Sequence, residues 1–158
     1  MIYFLDTEFW ERPCQIDLIS IGIVCEDGRE YYAESNEIDS ADIANDWIIR
    51  NVMPRLTGPR KSKAAIGQDI IAFVGADEKP EFWGYYADYD WVVFCWLFGA
   101  MIDLPKGFPM FCRDLKQWAV DLGNPKLPSQ TDEHHALCDA RWNRQVFDFL
   151  SLQSKESS

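Results

Sequence analysis

The chain reads as an α/β domain with a mixed sheet of about five strands flanked by helices, and three observations predict it. Its 158 residues, nearly half of them apolar, are enough to bury one sizeable core and few for two. Its first part holds three apolar, partly alternating runs joined by a tight-turn signal, the pattern of an antiparallel meander. Thereafter helical spacing and short apolar runs alternate, which adds helix–strand units to the meander.

The first strand is expected over residues 2–7, the second over 18–26 and the third over 29–34. Asp27-Gly28 forms the hairpin turn between the last two. Residues 42–53 have helical spacing up to Pro54, and residues 54–63, with Pro, Gly and four basic side chains, read as an exposed loop. A helix over about 64–75 is followed by Pro80, a buried strand over 82–86 and an apolar helix over 88–98. Residues 110–112 suggest a short strand, and 114–122 a helix closed by Gly123. Residues 124–130 form a Pro-rich loop before a last helix over about 133–152. The expected organisation is one domain over 1–153 and a polar tail over 154–158.

Composition sets bounds on function. No uncharged stretch approaches the roughly 20 residues that span a bilayer, and the amino terminus enters a strand pattern with no leader, so a cytoplasmic protein is expected. The five cysteines form no Cys-x-x-Cys pair, which argues against a zinc site and for reduced thiols. A net charge of −11 argues against broad nucleic-acid binding. Bound divalent ions would reverse the charge locally, and the basic group Arg55, Arg60, Lys61 and Lys63 is placed either to guide a strand or merely to be solvated.

The chemistry begins with Asp6 and Glu8. Two residues apart on a strand, their carboxylates point to one face, where like charges raise each other's pKa unless a cation sits between them. Asp90 follows the fourth strand, and reads either as an acid favoured in a helix's first turn, with Asp88 as its cap, or as a third ligand. Asp139 lies inside a helix, where aspartate is a mediocre residue, among Ala136, Leu137 and Cys138. His134 precedes it by five positions, about 140° around an ideal helix, so His134 must stand at or before the helix start to face the same site. His135 is the competing histidine.

These motifs, Phe4-Leu5-Asp6-Thr7-Glu8-Phe9, Tyr89-Asp90-Trp91-Val92 and His134-His135-Ala136-Leu137-Cys138-Asp139-Ala140-Arg141, together resemble the DEDDh exonucleases, DnaQ-like 3′-to-5′ nucleases with a ribonuclease-H-like fold. Within that family, Asp17-Leu18-Ile19-Ser20-Ile21-Gly22, the run from Glu26 to Ala33 and Arg113-Asp114-Leu115 are similar to the mycobacterial polyadenylate-specific exoribonucleases. The resemblance implies Asp6, Glu8, Asp90 and Asp139 as metal ligands, His134 as general base, RNA with adenine preference as substrate, and a homodimer.

Four carboxylates suit hard cations, so Mg²⁺ or Mn²⁺, two ions per site, is expected. Such a pair activates water and stabilises the leaving 3′ oxygen in an in-line displacement that releases nucleoside 5′-monophosphates. An imidazole, with an ordinary pKa of about 6.5, suits proton removal from that water. Thr7, Phe9, Leu18, Ser20 and Arg113 are candidate contacts to single-stranded nucleic acid, with Phe9 and Trp10 as apolar or stacking surfaces. The rival readings are a DNA-directed exonuclease of the same fold, a phosphatase using Asp6 as nucleophile, and a non-catalytic acidic module that binds metal or a partner.

Overall fold

The computed structural model describes residues 1–156 and forms a six-stranded sheet with helices on both faces. The meander is present: β1 (Ile2–Arg12), β2 (Gln15–Cys25) and β3 (Glu30–Ser35) pair antiparallel in sequence order. β1 and β2 extend well beyond the expected limits, because the polar residues near Pro13-Cys14 alternate with Phe9, Trp10 and Ile16, which all pack inward. Cys14, at φ 61°, turns this hairpin.

Within the hairpin the register shifts once. Glu8 faces Ser20, yet Phe9 faces Leu18, so Ile19 is an extra residue, a β-bulge. It sends Ile19 to a small cluster of its own with Trp10, Ile43, Ile48 and Val52. That cluster seats α1 (Asp46–Asn51), shorter than expected because Asn45 caps it by accepting from the Trp47 and Ile48 amides and Pro54 lies just beyond its end.

The stretch expected to be an open basic loop contributes a sixth strand. β4 (Arg60–Lys61) pairs parallel to β3, tied by Glu34 N–H to Pro59 O at 2.9 Å and Asn36 N–H to Lys61 O at 2.9 Å. Its charges are largely paired, Lys61 with Asp69 at 2.5 Å and Lys63 with Asp17 at 3.3 Å.

Helix α2 (Lys63–Val74), capped by Ser62 and ended by Gly75, leads to β5 (Glu81–Gly84), which lies parallel against β1. Helix α3 (Asp88–Trp96) follows. β6 (Arg113–Asp114) pairs with β5 two residues later than the expected strand at 110–112, for Met110 and Phe111 are exposed rather than buried. Asp114 then caps α4 (Leu115–Asp121). Helix α5 (Ala136–Glu156) begins three residues after the expected start and runs through 154–156, so only residues 157 and 158 of the expected tail lie outside the described residues.

The sheet order β4-β3-β2-β1-β5-β6 separates two cores, consistent with a ribonuclease-H-like fold. On one face Tyr3, Leu5, Ile21 and Ile23 pack under α2 and α3. On the other Phe4 and Val24 pack under α4 and α5. Odd and even positions of β1 therefore serve different cores, and Asp6 and Glu8 belong to the α5 face. Among the described residues no helix is long and apolar enough to cross a membrane.

Candidate active site

Asp6 pairs across the hairpin with Gly22, and this glycine makes room for α5. A Cβ at position 22 would stand 2.4 Å from the Ala136 carbonyl carbon and oxygen and from the Leu137 Cα. The start of α5 thus rests directly on the sheet beside Asp6. About two turns further, buried Asn143 donates from Nδ2 to the Leu5 carbonyl at 2.8 Å, just past the last β1–β5 pair, Phe4 with Trp83. Between these two anchors stands Asp139.

Asp90 arrives from the other side. Its Oδ1 accepts both the Thr7 backbone N–H and the Thr7 hydroxyl, each at 2.7 Å, so β1 holds the third acid by its own amide where the ladder to β5 has ended. Asp88 is exposed and caps nothing, whereas Asp90 is 7% exposed and turned inward. Asp139 is held by Gln130 Nε2 at 2.7 Å and by the His134 backbone N–H at 2.9 Å. His134 adopts φ 69°, in the left-handed region where non-glycine residues are uncommon.

His134 lies two residues before α5, as its spacing from Asp139 requires. Its ring nitrogen and the carboxylate oxygens of Glu8 and Asp139 fall within 4.8 Å of one another. The ring also meets the Trp47 indole, centroids 4.7 Å apart and planes at 77°. His135 turns away and stacks on Tyr32 at 4.5 Å, its Nδ1 buried with no hydrogen-bond partner among the described residues.

The electrostatics agree with this convergence. Burial pushes the Glu8 carboxyl up to about 8, with Asp139 and Asp90 pushing the same way and Arg55 opposing them. Asp6 keeps part of its surface open but is surrounded by protein atoms, and burial followed by the charges of Asp90, Asp139 and Glu8 drives it well above the ordinary carboxylate range. Asp90 is raised to about 6, burial outweighing its bonds to Thr7. Asp139 is raised by burial against Gln130 and His134. Four acids that resist ionising together form a site whose charge is relieved by protons or by cations.

The other expected contacts have different surroundings. The Thr7 hydroxyl is committed to Asp90. Phe9 is half-buried, its ring 6.0 Å from Tyr89. Leu18, 1% exposed, lies in the core under α2 and α3, and Ser20 is buried with no hydrogen-bond partner for its hydroxyl among the described residues. Trp10 packs beneath α1 with the Arg12 guanidinium 3.7 Å above its ring. Arg113 reaches Glu81 at 3.3 Å, the first residue of β5, whereas Asp90 follows its last. Arg113 is therefore not gathered with the acids.

Gln130, Asn143, Gly22 and Trp47 escaped the sequence reading. Asn143 had a legible signal, an amide four residues after Asp139 on the same helical face. Gly22 and Trp47 had none, since their roles depend on strand register and on packing by the bulge.

Residues 1–151 match the family model described as the 3′-5′ exoribonuclease Rv2179c-like domain. Two curated relatives, the 3′-5′ exoribonuclease Rv2179c of Mycobacterium tuberculosis strain ATCC 25618 / H37Rv and the 3′-5′ exoribonuclease MT2234.1 of strain CDC 1551 / Oshkosh, are each 43% identical over 148 residues, spanning 89% of this chain and 88% of the relative.

Proposed function

Because the chain belongs to the Rv2179c-like 3′-5′ exoribonuclease domain family and is thereby an exonuclease, we propose that it shortens single-stranded RNA from the 3′ end, releasing nucleoside 5′-monophosphates in a divalent-cation-dependent hydrolysis. The observation that carries the chemistry is the gathering of Asp6, Glu8, Asp90 and Asp139, each raised by burial, with a His134 ring nitrogen within 4.8 Å of the Glu8 and Asp139 carboxylates. Buried oxygen donors that repel one another fit hard divalent ions, Mg²⁺ or Mn²⁺, two per site, with Asp6 central among the four. Such ions, when bound, supply a more acidic water and charge stabilisation at the phosphoryl oxygens.

The chain's own residues supply the rest. Thr7 fixes the Asp90 carboxylate through two hydrogen bonds, and Gln130 with the His134 amide fixes that of Asp139, so the donors are oriented before anything binds. In this reading the His134 imidazole removes the proton from the attacking water. Its backbone, not its ring, is tied to Asp139, which leaves the ring nitrogens free of that bond.

The preference for polyadenylate, the trait of the mycobacterial polyadenylate-specific exoribonucleases that the sequence resembles, rests on that likeness, as does the homodimer. Exposed Tyr89, Val92 and Trp96, in register along one side of α3, suit self-association. Placement in the cytoplasm rests on the thiol-rich, disulfide-free composition.

The deciding experiment is a panel of 5′-labelled RNA homopolymers and a matching DNA, incubated with Mg²⁺, Mn²⁺ or chelator. Metal-dependent ladders shortening from the 3′ end, fastest on polyadenylate, are expected. Equal rates on DNA would remove the RNA assignment, and absence of shortening with either ion would remove the activity.

A further inference from the structure

Resting on the exoribonuclease reading, we propose that residues 46–55 form the wall that grips the 3′ end of the RNA, with the Trp47 indole stacking on a nucleobase and the Arg55 guanidinium contacting a backbone phosphate. Nothing in the sequence motifs assigns this segment a role. Its inner side is fully occupied: Ile48 and Val52 pack on Trp10 and Ile19, so α1 is seated on the bulged hairpin beside Glu8. Trp47 is on the other side, 51% exposed, although an indole is costly to leave in water and adds nothing to the cluster beneath. Among the described residues its one ring contact is with His134. A base lying on the indole would therefore end beside the imidazole, where the terminal phosphodiester must be for that histidine to act.

Arg55 supplies the second, independent observation. Its Nε donates to the Asn51 carbonyl at 3.1 Å, which fixes the stem. Among the described residues no carboxylate lies within 4.0 Å of it, whereas Lys61 and Lys63 in the same basic stretch are paired and Arg60 donates to the Ser35 and Ile38 carbonyls. The residues on either side of Arg55 in the chain, Met53 and Leu56, pack on the cluster of Trp10 and Ile19, so it is carried on the same segment that covers the bulge next to Glu8. In a chain of net charge −11, a cation left without a partner beside the acids is where a polyanion would be held.

The test is fluorescence anisotropy of a short 5′-fluorescein oligoadenylate with Mg²⁺, in a Glu8→Gln background that stops hydrolysis. Trp47→Ala is expected to weaken binding roughly tenfold, as for loss of one stacked base, with Trp47→Phe restoring most of it. Arg55→Ala is expected to lower the magnitude of the slope of log K against log salt by about 0.7, the signature of one lost phosphate contact on a single strand. In the hydrolysing background Trp47→Ala should raise KM and leave the pH profile in place. Unchanged binding with a fallen kcat and a displaced pH profile would make Trp47 a support for His134 alone and overturn the wall. An unchanged salt slope in Arg55→Ala would overturn its phosphate role. Wild-type protein that binds RNA through these residues without shortening it would uphold the wall and defeat the exonuclease reading instead. Urea unfolding of each variant verifies that the fold is retained.

Discussion

Replacing Glu8 by Gln should make the metal-free protein more stable while ending its activity. The Glu8 side chain is 9% exposed and its pKa stands at about 8 against an ordinary 4.5. The folded state therefore keeps a proton that the unfolded chain releases between those values. Stability is thus lost as pH rises through this window and levels off above the folded value. At pH 7 the penalty amounts to about 3 kcal/mol, and near pH 5 to about 1 kcal/mol, at 1.36 kcal/mol per unit. Glutamine fills nearly the same space, carries no charge and can donate to Asp139, so the variant should recover most of the penalty at pH 7 and little at pH 5. The assay is urea unfolding in chelator at the two pH values, repeated with Mg²⁺. The cation should stabilise the wild type by mass action and the variant less. Equal stabilities of the two proteins at both pH values in chelator would refute the claim that the Glu8 carboxylate is held buried, beside other acids, at a cost to the fold.

Asp6→Ala and Asp139→Ala should each abolish metal-dependent RNA shortening with the fold retained, and His134→Ala should slow it strongly, as single-turnover assays beside circular dichroism would establish. Gly22→Ala should cost about 1–3 kcal/mol, because its methyl meets α5 backbone that cannot move without carrying Asp139 away. Unfolding and activity should fall together in that variant. Thr7→Val removes one of two hydrogen bonds to Asp90 and should raise the Mg²⁺ concentration for half-maximal activity about 10- to 100-fold, whereas Thr7→Ser should not. An altered KM for RNA at unchanged metal dependence would instead give Thr7 a substrate contact.

The elements that carry acids were legible because their signals are local. Alternation on β1 fixes Asp6 and Glu8 to one face, and the five-residue spacing forces His134 off the helix that bears Asp139. The boundary errors have a common cause. The expected β1 and β2 end where polar residues thicken, since the sequence alone does not reveal that Trp10 finds partners in a separate small cluster while Phe9 and Ile16 extend the main core. Met110-Phe111-Cys112 read as strand from apolarity alone, yet pairing passed to Arg113 and Asp114, whose polar character hid it. The basic stretch at 60–63 reads as unstructured because the strand it pairs with, β3, and the Asp17 carboxylate that meets Lys63 both lie distant in sequence. Leu18 and Ser20, expected near a nucleotide from their nearness to Glu8 on the adjoining strand, are both buried, Leu18 in the core under α2 and α3 and Ser20 directly opposite Glu8.

The bulge at Ile19 also divides the hairpin into two parts with different tolerance to change. Below it, the pairing of Asp6 with Gly22 and of Glu8 with Ser20 is locked by everything stacked on either face. Above it, the arms leading to Pro13-Cys14 meet α1 through Trp10 and the edge of the main core through Phe9 and Ile16, and Cys14 at the tip is exposed. Lengthening this tip by matched pairs of residues would keep the lower ladder in phase. The tip is therefore where evolution, or an engineer attaching a thiol-linked probe, can graft new sequence without disturbing the acids.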